Sequence, residues 1–293
     1  MPVDVHTHTP RFKREPEPDE VVMNAMWRPD VARPATHSWD SHVQAMEIVD
    51  TAIVFNIASD PREGNPDDGK LMYAAHEVNN DTATFVRAHP VKFIGFMALH
   101  PHDPEVMDEM ERARVDLGLR GIKVGPNYQN FDPVGDEALR MFKRAEELKL
   151  PVLFHQGTSP VQFADLDYAH PRHLDRLAIA CPRLKMILAH IAHPWQADCA
   201  VVIRKHPNLY ADISAQFYRP WSYYNAMRTV FEWGVMHKIL FGSDYPIATP
   251  QETLDGLYMV NDPIEGTNLP RVPEAEMEAI FHRDALGLLG LDT

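Results

Sequence analysis

The chain opens with Val3-Asp4-Val5-His6-Thr7-His8-Thr9-Pro10-Arg11-Phe12, an alternating run that stops at a proline. Alternation followed by proline predicts a strand and then a turn. The turn decides between two parallel folds. An open doubly wound sheet would follow an early strand with a glycine-rich phosphate loop. Here the strand runs into His-Thr-His-Thr-Pro-Arg-Phe, which contains no glycine.

Seven further apolar runs follow: Thr51–Ile57, Phe93–His100, Arg120–Pro126, Pro151–Gly157, Lys185–Ile191, Asn208–Ser214 and Lys238–Pro246. Segments 70–88, 104–117, 135–149, 170–181, 195–206 and 219–236 lie between them, with apolar residues returning every three or four positions. Strand and helix repeated in this way imply parallel pairing with right-handed crossovers, and eight units close a barrel. The expected fold is therefore α/β, a (β/α)8 TIM barrel forming one domain over residues 1–293. Residues 9–35, rich in proline and charge, read as a loop insertion after the first strand that serves as a lid or partner contact. Residues 246–293 read as loops ending in one helix from Pro273 to Leu289.

A formal net charge of −14, with no dense basic run, excludes nucleic acid as an expected partner. Cys181 and Cys199 form no pair framework, which fits a reducing, cytoplasmic setting. Neither a signal core nor a membrane-length apolar stretch is found in the sequence. Sixteen histidines raise the question of metal or proton chemistry, and only their positions can answer it.

Alternation puts His6 and His8 on one face of the first strand, directed into the barrel, with Val5 and Thr7 turned toward the helices. Asp4 would then share the inward face one step deeper. His155, His190 and Asp244 close the fifth, sixth and eighth runs, at the end where barrels place their active sites. His6, His8, His155 and Asp244 supply the imidazole and carboxylate donors that suit zinc, with manganese as the other candidate. His190 reads as a proton-transfer group or a ligand of a second ion, and Asp244 as a proton acceptor. His193 reads as a loop residue or a partner orienting its neighbour.

Lys123 leaves three readings open: carbamylation bridging two metals, an anion-binding role, or pairing with an acid inside the barrel. His100, Pro101, Tyr128, Gln129 and Phe131 are expected along the pocket. Arg11 and Arg219, in the loops after the first and seventh strands, are the cations best placed for a substrate carboxylate. Asp212 reads as a supporting or helix-capping acid.

These motifs together, His-Thr-His, Gly-Ile-Lys, Phe-His-Gln-Gly, Ala-His-Ile-Ala-His-Pro and Phe-Gly-Ser-Asp-Tyr-Pro, resemble the amidohydrolase superfamily in its amidohydrolase-related branch. The resemblance implies one divalent metal on His6, His8, His155 and Asp244, and proton transfer by His190. It also implies either hydrolysis of a small carboxylated substrate or non-oxidative decarboxylation of a small aromatic or muconate-type acid, in a homodimer. A barrel with a purely structural metal is the non-enzymatic alternative. Where many relatives carry Gly-Ile-Lys-Leu-His-Pro, this chain has Gly-Ile-Lys-Val-Gly-Pro, so Gly125 replaces a histidine.

Overall fold

The computed structural model describes residues 1–10, 27, 28, 30, 38–63 and 73–292. Most of the 9–35 insertion, Arg11 included, therefore lies outside the described residues.

The strands are β1 (Val3–His8), β2 (Thr51–Phe55), β3 (Phe93–Gly95), β4 (Met97–Ala98), β5 (Ile122–Val124), β6 (Val152–Phe154), β7 (Met186–Leu188), β8 (Leu209–Asp212) and β9 (Ile239–Leu240). All pair in parallel, in the orders β1-β2-β3 and β4 through β9. The third apolar run supplies both β3 and β4, because regular pairing lapses at Phe96. That residue still donates its N–H to Val54 O at 3.0 Å, while Met97 N bonds Gly121 O at 2.7 Å, so the run bridges both neighbours. At the other seam Val5 N bonds Phe241 O at 3.0 Å, Asp244 N bonds His6 O at 2.8 Å and His8 N bonds Tyr245 O at 2.8 Å. These bonds join β1 to the segment leaving β9, giving the TIM-barrel arrangement that eight runs predict.

The inter-strand helices are α1 (Trp39–Ala45), α2 (Ala75–Ala88), α3 (Val106–Val115), α4 (Asp136–Glu147), α5 (Arg172–Ala180), α6 (Gln196–Lys205) and α7 (Pro220–Glu232). After β9 come α8 (Pro250–Tyr258), α9 (Glu274–Phe281) and α10 (Ala285–Leu289). The tail thus departs from the expected single helix in two ways. Thr249 and Glu252 form a capping box ahead of Pro250, which starts α8. Asp284 accepts the N–H of Gly287 at 3.0 Å and starts α10 afresh, so the stretch 273–289 is two helices.

Strand residues divide into two cores by the pleat. Val54, Val124, Phe154 and Leu188 pack outward with helix residues such as Phe85, Met110, Phe142 and Leu177. Ile53, Phe55, Leu153, Ile187 and Leu240 fill the interior, joined by Ala285 and Leu289 of α10.

Val5 belongs to the interior cluster, which corrects the expected alternation of β1. Asp4 pairs with Ala52 and Thr7 with Val54, so Val5 and His6 together oppose Ile53 alone. One extra residue in a strand shifts every later side chain to the other face. The β-bulge therefore lets Val5 point inward below and His6 and His8 point inward above. Asp4 loses its expected place on the histidine face: its Oδ1 accepts the N–H groups of His6 and Ser243, both at 3.0 Å, and so fastens the bulge to the last strand segment.

Candidate metal centre

A cavity of about 430 Å³ opens at the C-terminal ends of the strands. His6 and His8 reach it from the end of β1, and His155 from the residue after β6. His190 stands two residues past β7, and Asp244 in the turn after β9.

Asp244 adopts a left-handed backbone, φ 66°, which asparagine and aspartate tolerate better than other residues with a Cβ. This turns its carboxylate back over β1. Its Oδ1 lies 3.2 Å from His6 Nε2 and 3.1 Å from His8 Nε2. Burial would raise the Asp244 pKa, but the charge of His6 and the hydrogen-bond contacts of His6 and His8 outweigh burial and hold the carboxyl well below its ordinary range. Ligand-capable atoms of His6, His8 and Asp244 all fall within 4.8 Å of one another.

His155 stands outside that trio but lines the same cavity. Its Nε2 is buried and has no hydrogen-bond partner among the described residues, while Nδ1 is 3.3 Å from His190 Nε2. A buried nitrogen without a partner is costly unless something binds it. With burial holding its ring in the neutral form, His155 offers a lone pair of the kind a cation takes. Nitrogen and carboxylate donors around a cavity fit a divalent transition-metal ion.

The histidine after β7 is presented by an unusual turn. His190, Ile191 and Ala192 have φ values of 60°, 46° and 49°, three consecutive left-handed residues without a glycine. Each costs roughly 1–2 kcal/mol, so the surrounding contacts must hold the turn in place. One of them is the Asp212 carboxylate, which accepts His190 N–H at 3.0 Å. Asp212 is fully buried, does not line the cavity and accepts His6 Nδ1 at 3.0 Å, which matches the supporting role expected of it. Burial takes the His190 pKa down to about 4.

Lys123 is buried, with Nζ 3.4 Å from His6 Nε2 and 4.6 Å above the Phe55 ring, and burial lowers its pKa to about 8. None of the described carboxylates comes within ion-pairing distance of it, and Asp244 and Asp212 act on it through their charges from further away. Tyr128 lies against His155, ring centroids 4.6 Å apart, and bonds Ser159. Gly125 makes this possible, since a Cβ there would stand 2.8 Å from Tyr128 Cδ2. Arg219 borders the cavity with its guanidinium 4.6 Å from the Tyr218 ring centroid.

Other expected lining residues are elsewhere. Gln129 is wholly buried, its amide donating to Ala58 O at 3.0 Å and Leu99 O at 2.9 Å and accepting Gly125 N at 2.8 Å. His100 bonds Gln129 O at 2.7 Å and Phe131 enters the outer core. These residues tie loops together and, with Pro101, leave the cavity wall to others. Sequence reasoning missed Trp27, Asn56, Phe163 and Tyr218, which line it. Asn56 was within reach of the strand-end rule, as it directly follows β2. His193 also reaches the cavity, accepting Gln216 Nε2 at 3.0 Å through Nδ1.

Comparison with known proteins adds two findings. A family model described as Amidohydrolase matches residues 3–291. Among solved structures, an uncharacterized TIM-barrel protein from Bordetella bronchiseptica superposes with a TM-score of 0.72 at 20% identity, over 99% of this chain and 98% of that one. A dihydroxybenzoic acid decarboxylase from Polaromonas sp. JS666, with bound manganese and the inhibitor 2-nitroresorcinol, gives 0.66 at 18% identity over 100% and 97%. A probable 2-pyrone-4,6-dicarboxylic acid hydrolase from Acinetobacter baumannii gives 0.65 at 13% identity over 99% of each chain.

Proposed function

Because the chain belongs to the amidohydrolase family, whose members use a divalent metal, we propose that it is a metal-dependent hydrolase of a small carboxylated organic substrate. The observation that carries this reading is the meeting of His6, His8 and Asp244 within 4.8 Å at a cavity that His155 and His190 also line. His6, His8, His155 and Asp244 would hold one ion, zinc by preference and manganese as the alternative. Bound there, the ion supplies Lewis acidity to a substrate oxygen and to water.

The chain's own residues do the rest. Asp244, kept ionised by its imidazole neighbours, takes the proton from the attacking water. His190, neutral through burial, exchanges a proton at Nε2. Lys123 and Arg219, at the inner and outer parts of the wall, take substrate carboxylate oxygens, and Tyr128, Tyr218 and Phe163 cover the substrate from water. No helix among the described residues is long and apolar enough to cross a membrane. We propose a cytoplasmic homodimer acting on a small molecule as the working form.

Decarboxylation is the second reading, favoured by the aromatic wall and by likeness to a decarboxylase of hydroxylated benzoic acids. Lactones, amides and hydroxybenzoates should be screened with and without chelator, in water labelled with heavy oxygen. Label entering the product supports hydrolysis. Carbon dioxide release without label overturns it in favour of decarboxylation, and activity indifferent to chelator in protein free of metal overturns the metal reading for both.

A further inference from the structure

Both oxygens of the Asp212 carboxylate are fully engaged. Oδ1 accepts His190 N–H at 3.0 Å, Ser214 N–H at 3.0 Å and the Ser214 hydroxyl. Oδ2 accepts His6 Nδ1 at 3.0 Å. A carboxylate can only accept, so Asp212 draws a His6 proton onto Nδ1 while Asp244 Oδ1, 3.2 Å from Nε2, competes for it. In the neutral ring the shorter Asp212 contact, the Ser214 Oγ 3.2 Å from Nδ1 and the Lys123 ammonium 3.4 Å from Nε2 keep the proton on Nδ1. Nε2 is then left with a lone pair, and it is Nε2 that faces Asp244 and Lys123.

The same logic passes through Ser214. Its hydroxyl hydrogen is committed to Asp212, so Oγ can only accept from His190 Nδ1 at 2.8 Å, alongside the Ser214 carbonyl at 3.1 Å. The His190 proton is thereby placed on Nδ1 and its Nε2 lone pair is turned toward His155. We infer that Asp212 is a positioning residue that sets the tautomer of His6 for metal binding while clamping the left-handed turn that presents His190. One buried group would then couple the metal ligand to the proton-transfer histidine. This rests on the metal-centre reading above.

Asp212→Asn separates the two jobs. Three donors converge on Oδ1, so the amide oxygen must stay there and keep the His190 turn. The amide NH2 must then face His6 Nδ1, and a donor facing that nitrogen drives the ring proton to Nε2. A protonated Nε2 cannot ligate a metal.

The experiment compares metal-free wild-type and Asp212→Asn protein by ring-nitrogen NMR at alkaline pH, where the imidazole is neutral, and then titrates each with zinc and with manganese. Expected results are a His6 proton on Nδ1 in the wild type and on Nε2 in the variant. Metal affinity should be weaker by about 10- to 100-fold, with the thermal unfolding of the metal-free protein little changed. The same tautomer in both proteins, or an unchanged affinity, overturns the proposal, as does a variant whose loss is confined to thermal stability. If the variant does not fold, the wild-type spectrum decides alone, because a His6 proton on Nε2 overturns it. Wild-type protein that binds neither metal overturns the metal centre instead, and leaves the tautomer result to be judged separately.

Discussion

Val5 and His6 are adjacent in sequence and both face the barrel interior, a placement that no strict alternation allows. The shared face of His6 and His8 is readable because His6 is the second residue of the bulge and period two resumes from it to His8. Asp4 was misplaced because it lies before the bulge, and a bulge depends on pairing with a strand about fifty residues away that the local pattern does not record. Gly125 has a similar history: its departure from the family pattern was visible, but its consequence, room for Tyr128 beside His155, required the fold. Gly125→Ala should lower stability by roughly 1–3 kcal/mol, since the new Cβ would stand 2.8 Å from Tyr128 Cδ2 and force the ring toward the cavity, away from its contact with His155. Urea denaturation checks this. In the double variant with Tyr128→Ala the cost of the added methyl should largely vanish, and a persistent cost would show that the ring is not what it meets.

Short strands and their connecting helices were legible as elements, while their ends and mutual ties were not. The third run split into β3 and β4 because pairing, not composition, lapses at Phe96. Lys238, just ahead of β9, shows what such ties contribute. Its Nζ is directed at the carbonyls of Ile203 at 2.8 Å, His206 at 2.5 Å and Pro207 at 3.1 Å, around the C-terminus of α6. An ammonium there satisfies carbonyls that the helix end leaves open and complements its dipole. Lys238→Met should cost about 1.5–3 kcal/mol in urea denaturation, the range for hydrogen bonds to a charged group. A loss near zero would mean water replaces the ammonium.

Asp175 of α5 makes a weaker tie to the end of α6, accepting Lys205 Nζ and His206 Nε2, each at 2.7 Å. Burial raises its pKa, but those two partners outweigh burial and lower it. A depressed carboxylate stabilises the fold above its unfolded pKa of about 3.9 and loses that contribution as pH falls through the folded value. Asp175→Asn should therefore destabilise at neutral pH, by about 0.5–1 kcal/mol for so exposed a pair, with the difference from wild type fading in acid. A difference independent of pH would assign the effect to packing.

Over the whole molecule, the candidate ligands come from widely separated parts of the chain: His6 and His8 on β1, His155 after β6 and Asp244 after β9. Their convergence exists only in the folded barrel, so an ion bound to them favours the folded state by mass action. At a free metal concentration about one hundred times the dissociation constant, the gain is about 2.7 kcal/mol. For a domain approaching this size each kcal/mol moves the melting temperature by roughly 2–4 °C, so chelation should lower it by roughly 5–10 °C. Differential scanning calorimetry of loaded and chelated protein measures that shift, with zinc or manganese added back to restore it. The His8→Ala variant separates site from bystander: it should melt near the chelated wild type and respond little to added ion. A full metal response in that variant would move the binding site away from this barrel mouth, and no response in the wild type would remove the metal from the site altogether.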